Sequence, residues 1–141
     1  MPAQKLIRTI AAPIAADPDW AADPAATPTA GESVEVPPDT QAIYFTFRAF
    51  DGSDNEIDLA AMELDFTGVV EIAYLDEKYT PPKPVTQYRE LSVVGGTIAA
   101  KGIAIETDLP SQAIRVFPRM RGAPTSPAAG MAKLEVYGGV W

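Results

Sequence analysis

Carboxylates are the only abundant side chains in this sequence that could do chemistry, and they cluster in its middle. Between positions 49 and 77 there are nine acidic residues and no basic one: Asp51, Asp54, Glu56, Asp58, Glu63, Asp65, Glu71, Asp76 and Glu77. Residues 51–58 could offer several of the about six to eight oxygen ligands that Ca²⁺ takes. They lack the alternating spacing of acidic residues and the glycine of an EF-hand loop. We therefore predict a solvated acidic turn and no metal site.

Nucleophilic side chains have no activating partner in this chain. It contains no histidine and no cysteine, which removes the usual general base near neutral pH and any reactive thiolate. None of the serines lies in a Gly-x-Ser-x-Gly turn. Among 19 acidic residues, some carboxylate pair will meet the spacing of a glycosidase by chance, and nothing singles one out. We predict no catalytic residue, no cofactor and no enzymatic activity.

The charge and hydropathy of the chain exclude two kinds of partner. Its net charge is −8, which argues against binding to the phosphate backbone of a nucleic acid. No apolar run approaches the ~20 residues that a membrane-spanning helix needs, and no basic-then-apolar leader is present. The sequence predicts no nucleic-acid partner, no membrane partner and no signal peptide.

The last third of the chain has the opposite charge from the middle. From residue 111 onward there is one acidic residue, Glu135, against Arg115, Arg119, Arg121 and Lys133. Arginine binds carboxylates bidentately and is common at interfaces. The three arginines are predicted to meet carboxylates, either within the fold or on another subunit, and the sequence leaves both alternatives open. We take them as candidate partner-binding residues.

Four aromatic residues lie where a core strand would not place them: Trp20, Tyr79, Tyr88 and Trp141. Such rings could be stacking platforms for a sugar. They could also attach the ends of the chain to the body of the protein, which we favour. We predict that Trp20 is buried against its own domain or another chain. Trp20 and Trp141 complete the candidate partner-binding set.

Residues 1–30 are predicted to form an extended arm. They include ten alanines and five prolines, and proline both removes a hydrogen-bond donor and disfavours helix in the residue before it. Residues 5–12 could be a short strand that leads into the arm. A flexible linker is the alternative, although Trp20 would be an obvious anchor for a docked arm.

Residues 31–141 are predicted to form one domain of strands and turns. Residues 41–50 alternate, with Ile43, Phe45, Phe47 and Ala49 on the core face. The other predicted strands are 34–36, a buried strand after a Thr67–Gly68 turn (69–75), 85–94, one or two within 97–107, 112–121 and 131–137, while 53–66 fits a bulged strand or one helical turn. Pro118 places its strand at an edge or a bulge. About eight strands with at most one short helix indicate an all-β fold, an antiparallel β-sandwich of jelly-roll type.

Three segments resemble small β-sandwich virion proteins of tailed bacteriophages. Residues 31–45, GESVEVPPDTQAIYF, combine a short strand, a Pro-x-Asp-Thr turn and a hydrophobic strand that are similar to the opening strands of such domains. Residues 108–116, DLPSQAIRV, repeat the turn and strand, and residues 130–139 are similar to a final strand. The resemblance covers approximately residues 31–139.

The resemblance implies a structural role in a virion, with the capsid surface favoured as location. A capsid decoration (cement) protein, a head-fibre base and a tail or baseplate component are all compatible with it. It implies docking on the major capsid protein or another virion protein through the arm and the charged patches, and a homo-oligomer for which a trimer is expected. The alternative is a carbohydrate-binding module or adhesin on the same sandwich, because one fold hosts many functions.

Overall fold

Ten β-strands make up the protein in the computed structural model, which describes residues 4–22, 28, 31–59, 61–91, 96–100, 104–106, 109 and 112–141. The strands are β1 (Lys5–Ala11), β2 (Val34–Glu35), β3 (Ile43–Phe50), β4 (Glu56–Ile57), β5 (Glu63–Asp76), β6 (Lys83–Glu90), β7 (Thr97–Ala99), β8 (Ala104–Glu106), β9 (Ala113–Met120) and β10 (Lys133–Val140). The described part contains no helix, which confirms the all-β class. Several predicted features lie outside the described residues, namely parts of the arm (1–3, 23–27, 29–30) and positions 92–95, 101–103, 107–108 and 110–111.

The strands form two antiparallel sheets. Sheet A has the order β1-β10-β3-β4, with β8 also paired to β3, and sheet B has the order β2-β9-β5-β6, with β7 also paired to β5. A single large hydrophobic cluster takes buried side chains from both sheets. This arrangement is that of the predicted antiparallel sandwich.

The core face of β3 is as the sequence predicts. Its alternating residues Ile43, Phe45, Phe47 and Ala49 are all buried. The rings of Phe45 and Phe47 each meet Phe66 of β5 edge-on, at centroid distances of 5.3 and 5.4 Å. Phe66 is fully buried and therefore joins the two sheets at the centre of the core.

The predicted turn at Thr67–Gly68 is wrong, because β5 runs through it as one strand of 14 residues. Both residues are paired on the β9 side, Thr67 with Arg119 and Gly68 with Pro118. On its other side β5 changes partner, from β7 over residues 63–65 to β6 over residues 69–76. Long-range pairing thus overrides two residues that favour a turn.

The far end of β5 corrects a second prediction, since residues 73–75 are exposed and not a buried strand. The pairing with β9 ends at Ile72, so residues 73–76 pair only with residues 83–86 of β6. Most side chains of these two segments are exposed whichever face they lie on. They form a two-stranded ribbon, closed by residues 77–82, that extends beyond the rest of the sandwich. We call residues 73–86 the ribbon.

Pro118 does not lie on an edge strand as predicted, because β9 lies between β2 and β5 in sheet B; it lies instead where no described strand pairs with β9 on the β2 side. Strand β2 pairs with β9 only at Val116 and Arg115, so it does not reach Pro118. The carbonyl of Pro118 accepts a hydrogen bond from Arg8 and not from β5. Because a residue in an antiparallel strand directs both backbone groups to the same side, the missing N–H costs no ladder bond.

The N-terminal segment begins as a strand and continues onto sheet B. Strand β1 pairs with β10, which confirms the predicted short strand. Beyond it, Asp17 exchanges a backbone hydrogen bond with Met120 (N···O 2.8 Å), and Trp20 lies on the outer face of sheet B. The described part of residues 1–30 is therefore attached to its own sandwich. The arm boundary at residue 30 stays a prediction.

Candidate functional site

Four of the five predicted partner-binding residues lie on the outer face of sheet B. Residues 115, 117, 119 and 121 alternate with the buried Val116 and Met120 along β9, so they share that face. Trp20 reaches the same face from the N-terminal segment. Trp141, in contrast, follows β10 of sheet A and is not part of this group.

Trp20 is buried, with 9% of its surface exposed, which confirms the prediction of its burial. It packs on Val69 and Phe117 in a second, smaller hydrophobic cluster, and its ring meets that of Phe117 edge-on at 6.1 Å. Tyr88 meets Phe117 in the same way, also at 6.1 Å. The ring of Trp20 thus holds the N-terminal segment on its own sandwich.

Each of the three arginines has a carboxylate within the chain. Arg115 lies 3.6 Å from Glu71, Arg119 lies 3.0 Å from Glu90, and Arg121 lies 4.0 Å from Asp65 and 3.7 Å from Glu90. The side chain of Arg119 also donates to the carbonyl of Pro18, at 3.0 Å. Of the two alternatives left open by the sequence, pairing within the fold is the one observed.

A polar row crosses the four strands of sheet B at Arg115. The strand register aligns Glu35, Arg115, Glu71 and Tyr88 side by side. Burial and the neighbouring Glu71 raise the pKa of Tyr88, so its hydroxyl stays protonated near neutral pH. The Nε of Arg115 is buried and has no hydrogen-bond partner. In this row the charges of Arg115 and Glu71 compensate each other.

The sequence did not indicate a partly buried ion pair that holds the N-terminal segment. Both terminal nitrogens of Arg8 donate to the carboxylate of Asp17, at 2.6 Å each. The same carboxylate accepts the backbone N–H of Met120 at 2.8 Å. Burial lowers the pKa of the Arg8 guanidinium, but the hydrogen bond and the charge of Asp17, together with the charge of Glu32, outweigh burial and the net pKa is raised. We call Arg8 and Asp17 the clasp; no sequence spacing connects Asp17 with a residue 103 positions away.

The outer face of sheet A carries a second group that sequence reasoning missed. The guanidinium of Arg48 lies over the rings of Phe50 and Tyr137, at 5.1 and 5.9 Å, and Lys133 lies over Phe50 at 5.1 Å. The bond from Arg48 lowers the pKa of Glu56, and the bond to Glu135 raises the pKa of Tyr137. The alternation along β3 predicts that Arg48 and Phe50 share one face. It does not predict that two cations lie over the ring of Phe50.

The carboxylates of the acidic turn are directed to separate partners. Asp51 accepts the backbone N–H groups of Asn55 and Ser53, at 2.9 Å each, and these bonds lower its pKa. Asp54 pairs with Lys133 at 2.8 Å, and this bond raises the pKa of the lysine. Within the described residues, no group of three or more metal-binding side chains could hold an ion.

The exposed large hydrophobic side chains concentrate at one end of the sandwich. They are Leu6, Tyr74, Leu75, Tyr79, Ile114 and Trp141. Leu6 lies near the start of β1, which pairs with the end of β10, and Trp141 follows that end. Ile114 lies at the start of β9, which pairs with the part of β5 that leads to Tyr74 and Leu75.

The connection between β2 and β3 shows that Leu6 and Trp141 of sheet A lie at the same end of the sandwich as the exposed residues of sheet B. The backbone N–H of Val36 donates to Ile114 in sheet B, and that of Gln41 donates to Trp141 in sheet A. The short segment between residues 36 and 41 thus links the two strand ends. We call this end, with its six exposed hydrophobic residues, the apolar end. Sequence reasoning could not find it, because it depends on which strand ends meet.

The two tryptophans should respond very differently to a quencher in solution. Trp20 is 9% exposed and Trp141 is 64% exposed. In the Trp141→Phe variant, where Trp20 is the only emitter, we expect blue-shifted emission and a Stern–Volmer constant for acrylamide several-fold below that of Trp20→Phe. Equal quenching of the two variants would contradict the observed burial of Trp20.

Comparisons with models of protein families, with curated proteins and with solved structures find no significant match to this chain. Among the described residues there is no helix long and apolar enough to cross a membrane. The class that these observations define is an all-β protein of two antiparallel sheets with an apolar end.

Proposed function

We propose that this protein is a non-enzymatic structural protein that docks on neighbouring chains, and that it is a capsid decoration (cement) protein of a tailed-phage virion. The observation that carries the docking role is the apolar end. Large hydrophobic side chains gathered on one part of a surface typically mark a protein–protein contact. Leu75 and Trp141, which are 63% and 64% exposed, are its most prominent members.

Charge at the apolar end supports docking on an acidic or a basic neighbour. Its described charged residues nearly balance: Lys5, Lys78, Lys83 and Arg115 against Glu35, Asp39, Asp76, Glu77 and Glu106. The chain as a whole has a net charge of −8. Since long-range repulsion is weakest where local charge is balanced, the apolar end is the part of the surface that a neighbour approaches most easily.

The carbohydrate-binding alternative has less support from the same residues. Sugar stacking needs the bare face of an aromatic ring. The ring of Tyr79 has the ammonium groups of Lys78 and Lys83 over it, at 5.4 and 4.5 Å. Tyr88 and Trp20 are packed on Phe117. Of the four aromatic residues considered for sugar binding, Trp141 alone has more than half of its surface exposed.

The finer parts of the proposal derive from the sequence resemblance of residues 31–45, 108–116 and 130–139. They include the major capsid protein as partner; the jelly-roll topology and the division into an arm (1–30) and a sandwich (31–141) derive instead from the strand pattern and the composition of the sequence. A location on the capsid surface and a homotrimer complete them. Because Arg115, Arg119 and Arg121 are paired within the chain, we assign the main docking contact to the apolar end and not to these arginines.

The proposal is tested by sedimentation with capsid shells. Empty shells assembled from the major capsid protein of the same genome are mixed with the purified protein and separated on a density gradient. We expect the protein to sediment with the shells. The double variant Leu75→Asp, Trp141→Asp should bind at least about tenfold more weakly, because apolar anchors at the centre of an interface carry most of its affinity.

A matched variant controls for the added charge. Thr9→Asp, Ser53→Asp introduces the same two charges at exposed positions away from the apolar end, and it should sediment like the unmodified protein. The proposal fails if the unmodified protein stays at the top of the gradient. The assignment of the contact fails if both double variants bind equally.

A further inference from the structure

Strand β6 lies at one end of sheet B and is paired on one side. The strand order places it after β5, and no described strand pairs with its other side. Its pairing with β5 runs without a register shift over all of its residues, from Lys83 to Glu90. The other end strands differ, since β2 and β4 have two residues each and β1 contains a register shift between Leu6 and Arg8. Among the described strands, β6 is therefore the longest regular edge that is open to a further strand.

The register shows which backbone groups of β6 point away from β5. The N–H of Leu91, the residue after β6, donates to the carbonyl of Gly68 in β5, at 2.9 Å. In an antiparallel pair, residues that exchange hydrogen bonds with the partner strand alternate with residues that direct both backbone groups to the other side. Residues 83, 85, 87 and 89 therefore bond to β5, while residues 84, 86, 88 and 90 direct their backbone groups away from it.

Pro84 divides this edge into a protected part and an open part. It lies at one of the outward positions and has no N–H to donate, which is how proline is tolerated in an edge strand. Together with the neighbouring Lys83, it protects the ribbon half of β6 against pairing. Thr86, Tyr88 and Glu90 each keep an outward N–H and an outward carbonyl. These three residues form the open part of the edge.

We propose that β6 pairs with β6 of a second copy of this protein, antiparallel and in a register centred on Tyr88. Thr86 then lies opposite Glu90 of the second copy, and the two Tyr88 residues lie opposite each other. Every outward N–H and carbonyl of these residues gains a partner. A centre nearer to Pro84 would leave a carbonyl without a donor. A centre shifted the other way would place Thr86 beyond the end of the opposite strand.

The side chains of this register favour a second copy as the occupant. Glu90 lies opposite Thr86 of the second copy, and Arg89 lies opposite Gln87, so no two like charges are opposed. The carboxylate of Glu90 is moreover paired within its own chain, at 3.0 Å from Arg119. Like charges directly opposite each other destabilise a strand pair, and this edge avoids them when it pairs with itself.

The contact joins the B sheets of two copies into one continuous antiparallel sheet. It uses the same residues on both copies, so it is isologous and closes after two copies. A trimer needs a heterologous contact, and the apolar end is a different part of the surface. Dimer formation through β6 therefore depends neither on the proposed trimer nor on a capsid partner.

Disulfide trapping tests the contact directly, because the chain contains no cysteine. Gln87 and Arg89 of opposite copies form a non-hydrogen-bonded pair, whose Cα atoms lie about 4.5 Å apart, within the range that a disulfide spans. Both positions are exposed, so folding should be preserved. On mild oxidation, we expect an equimolar mixture of Gln87→Cys and Arg89→Cys to form a mixed disulfide, identified by its mass. A mixture of Ser53→Cys and Gln87→Cys controls for random collision and should give several-fold less.

Each cysteine variant alone reports on the register. In a register centred on Tyr88, the two Gln87 positions are diagonal neighbours, about 7–8 Å apart, which is too far for an unstrained disulfide. Gln87→Cys alone should therefore form less disulfide than the mixture with Arg89→Cys. A homodimer of Gln87→Cys that forms more readily than the mixed dimer would contradict the proposed register.

A proline at Thr86 tests the role of the backbone. Thr86→Pro removes an outward N–H and leaves the bonds to β5 in place, as Pro84 already does in the same strand. By sedimentation velocity, the unmodified protein should dimerise with increasing concentration, and Thr86→Pro should dimerise at least about tenfold more weakly. Thr86→Val keeps both the N–H and the β-branched shape, so it should dimerise like the unmodified protein. Thermal melting checks that both variants fold.

Three outcomes would overturn the inference. One is an unmodified protein that stays monomeric at every concentration, which would leave this edge to a strand of a different protein. Another is a mixed disulfide no more abundant than in the Ser53→Cys control. The third is equal dimerisation of Thr86→Pro and Thr86→Val. None of them bears on binding to capsid shells, so failure here is distinguishable from failure of the proposed function.

Discussion

Replacing Phe66 with alanine should lower the free energy of unfolding by about 3–5 kcal/mol, the range for removing a buried phenylalanine side chain from a core. Phe66 is fully buried and packs edge-on against Phe45 and Phe47 of the other sheet. A cavity at this position cannot be filled by a neighbouring surface side chain. The loss should be measured by urea denaturation, with an unchanged slope to exclude a change in the denatured state.

Phe50→Ala is the matched control for Phe66→Ala. Phe50 lies in the same sheet as Phe45 and Phe47 but on the solvent-facing side, where Arg48 and Lys133 cover it. We expect its replacement to cost about 1 kcal/mol or less, as for most surface substitutions. Equal losses for the two variants would contradict the assignment of Phe66 to the centre of the core.

The second large effect is expected at the clasp, where Asp17→Ala should cost about 2–4 kcal/mol. The substitution removes the carboxylate that Arg8 binds at 2.6 Å, leaving Glu32 at 3.8 Å, and it leaves the N–H of Met120 without its acceptor. Removing one partner of a buried ion pair is costly because the other charge stays desolvated. Both side chains retain some exposure, 14% and 13%, so the lower part of the range is more realistic.

Glu56→Ala tests whether the stability lost with an ion pair depends on the burial of the pair or on the distance between its atoms. The Arg48–Glu56 pair has the same closest distance, 2.6 Å, but its side chains are 46% and 52% exposed. We expect little or no loss of stability, as is usual for an exposed ion pair. The emission of Trp20, recorded in a Trp141→Phe background, should also shift to the red in Asp17→Ala and stay unchanged in Glu56→Ala. If both ion pairs cost the same, the clasp is not what holds the N-terminal segment.

Sequence patterns were sufficient where a strand alternates and its ends carry turn residues. The core face of β3 was predicted for this reason, whereas the strand over residues 5–12, observed as β1, was predicted without such a pattern. The same reasoning failed at Thr67–Gly68, because a local turn signal says nothing of partners on both sides of the strand. It also failed for the exposed end of β5, since the point at which β9 stops pairing is not encoded near residue 73.

The residues of the candidate site were likewise predicted from the sequence only in part. Alternation along β9 placed Arg115, Arg119 and Arg121 on one face, but their carboxylates are on other strands and no spacing reveals them. The clasp joins residues on β1, the N-terminal segment and β9 through the tertiary fold. The apolar end depends on which strand ends meet, and this information exists only once both sheets are assembled.

The position of β10 has a consequence for how the protein is made. This strand follows all the others in the sequence, yet it lies between β1 and β3 in sheet A. During translation, the opening strand therefore waits for residues 133–140 to leave the ribosome before it gains a neighbour. Until then both flanking strands expose free backbone groups to other nascent chains. Synthesis at high local concentration should therefore favour mispairing of β1 and β3 with other chains. Because strands far apart in the sequence pair slowly, these two strands stay unpaired for longer.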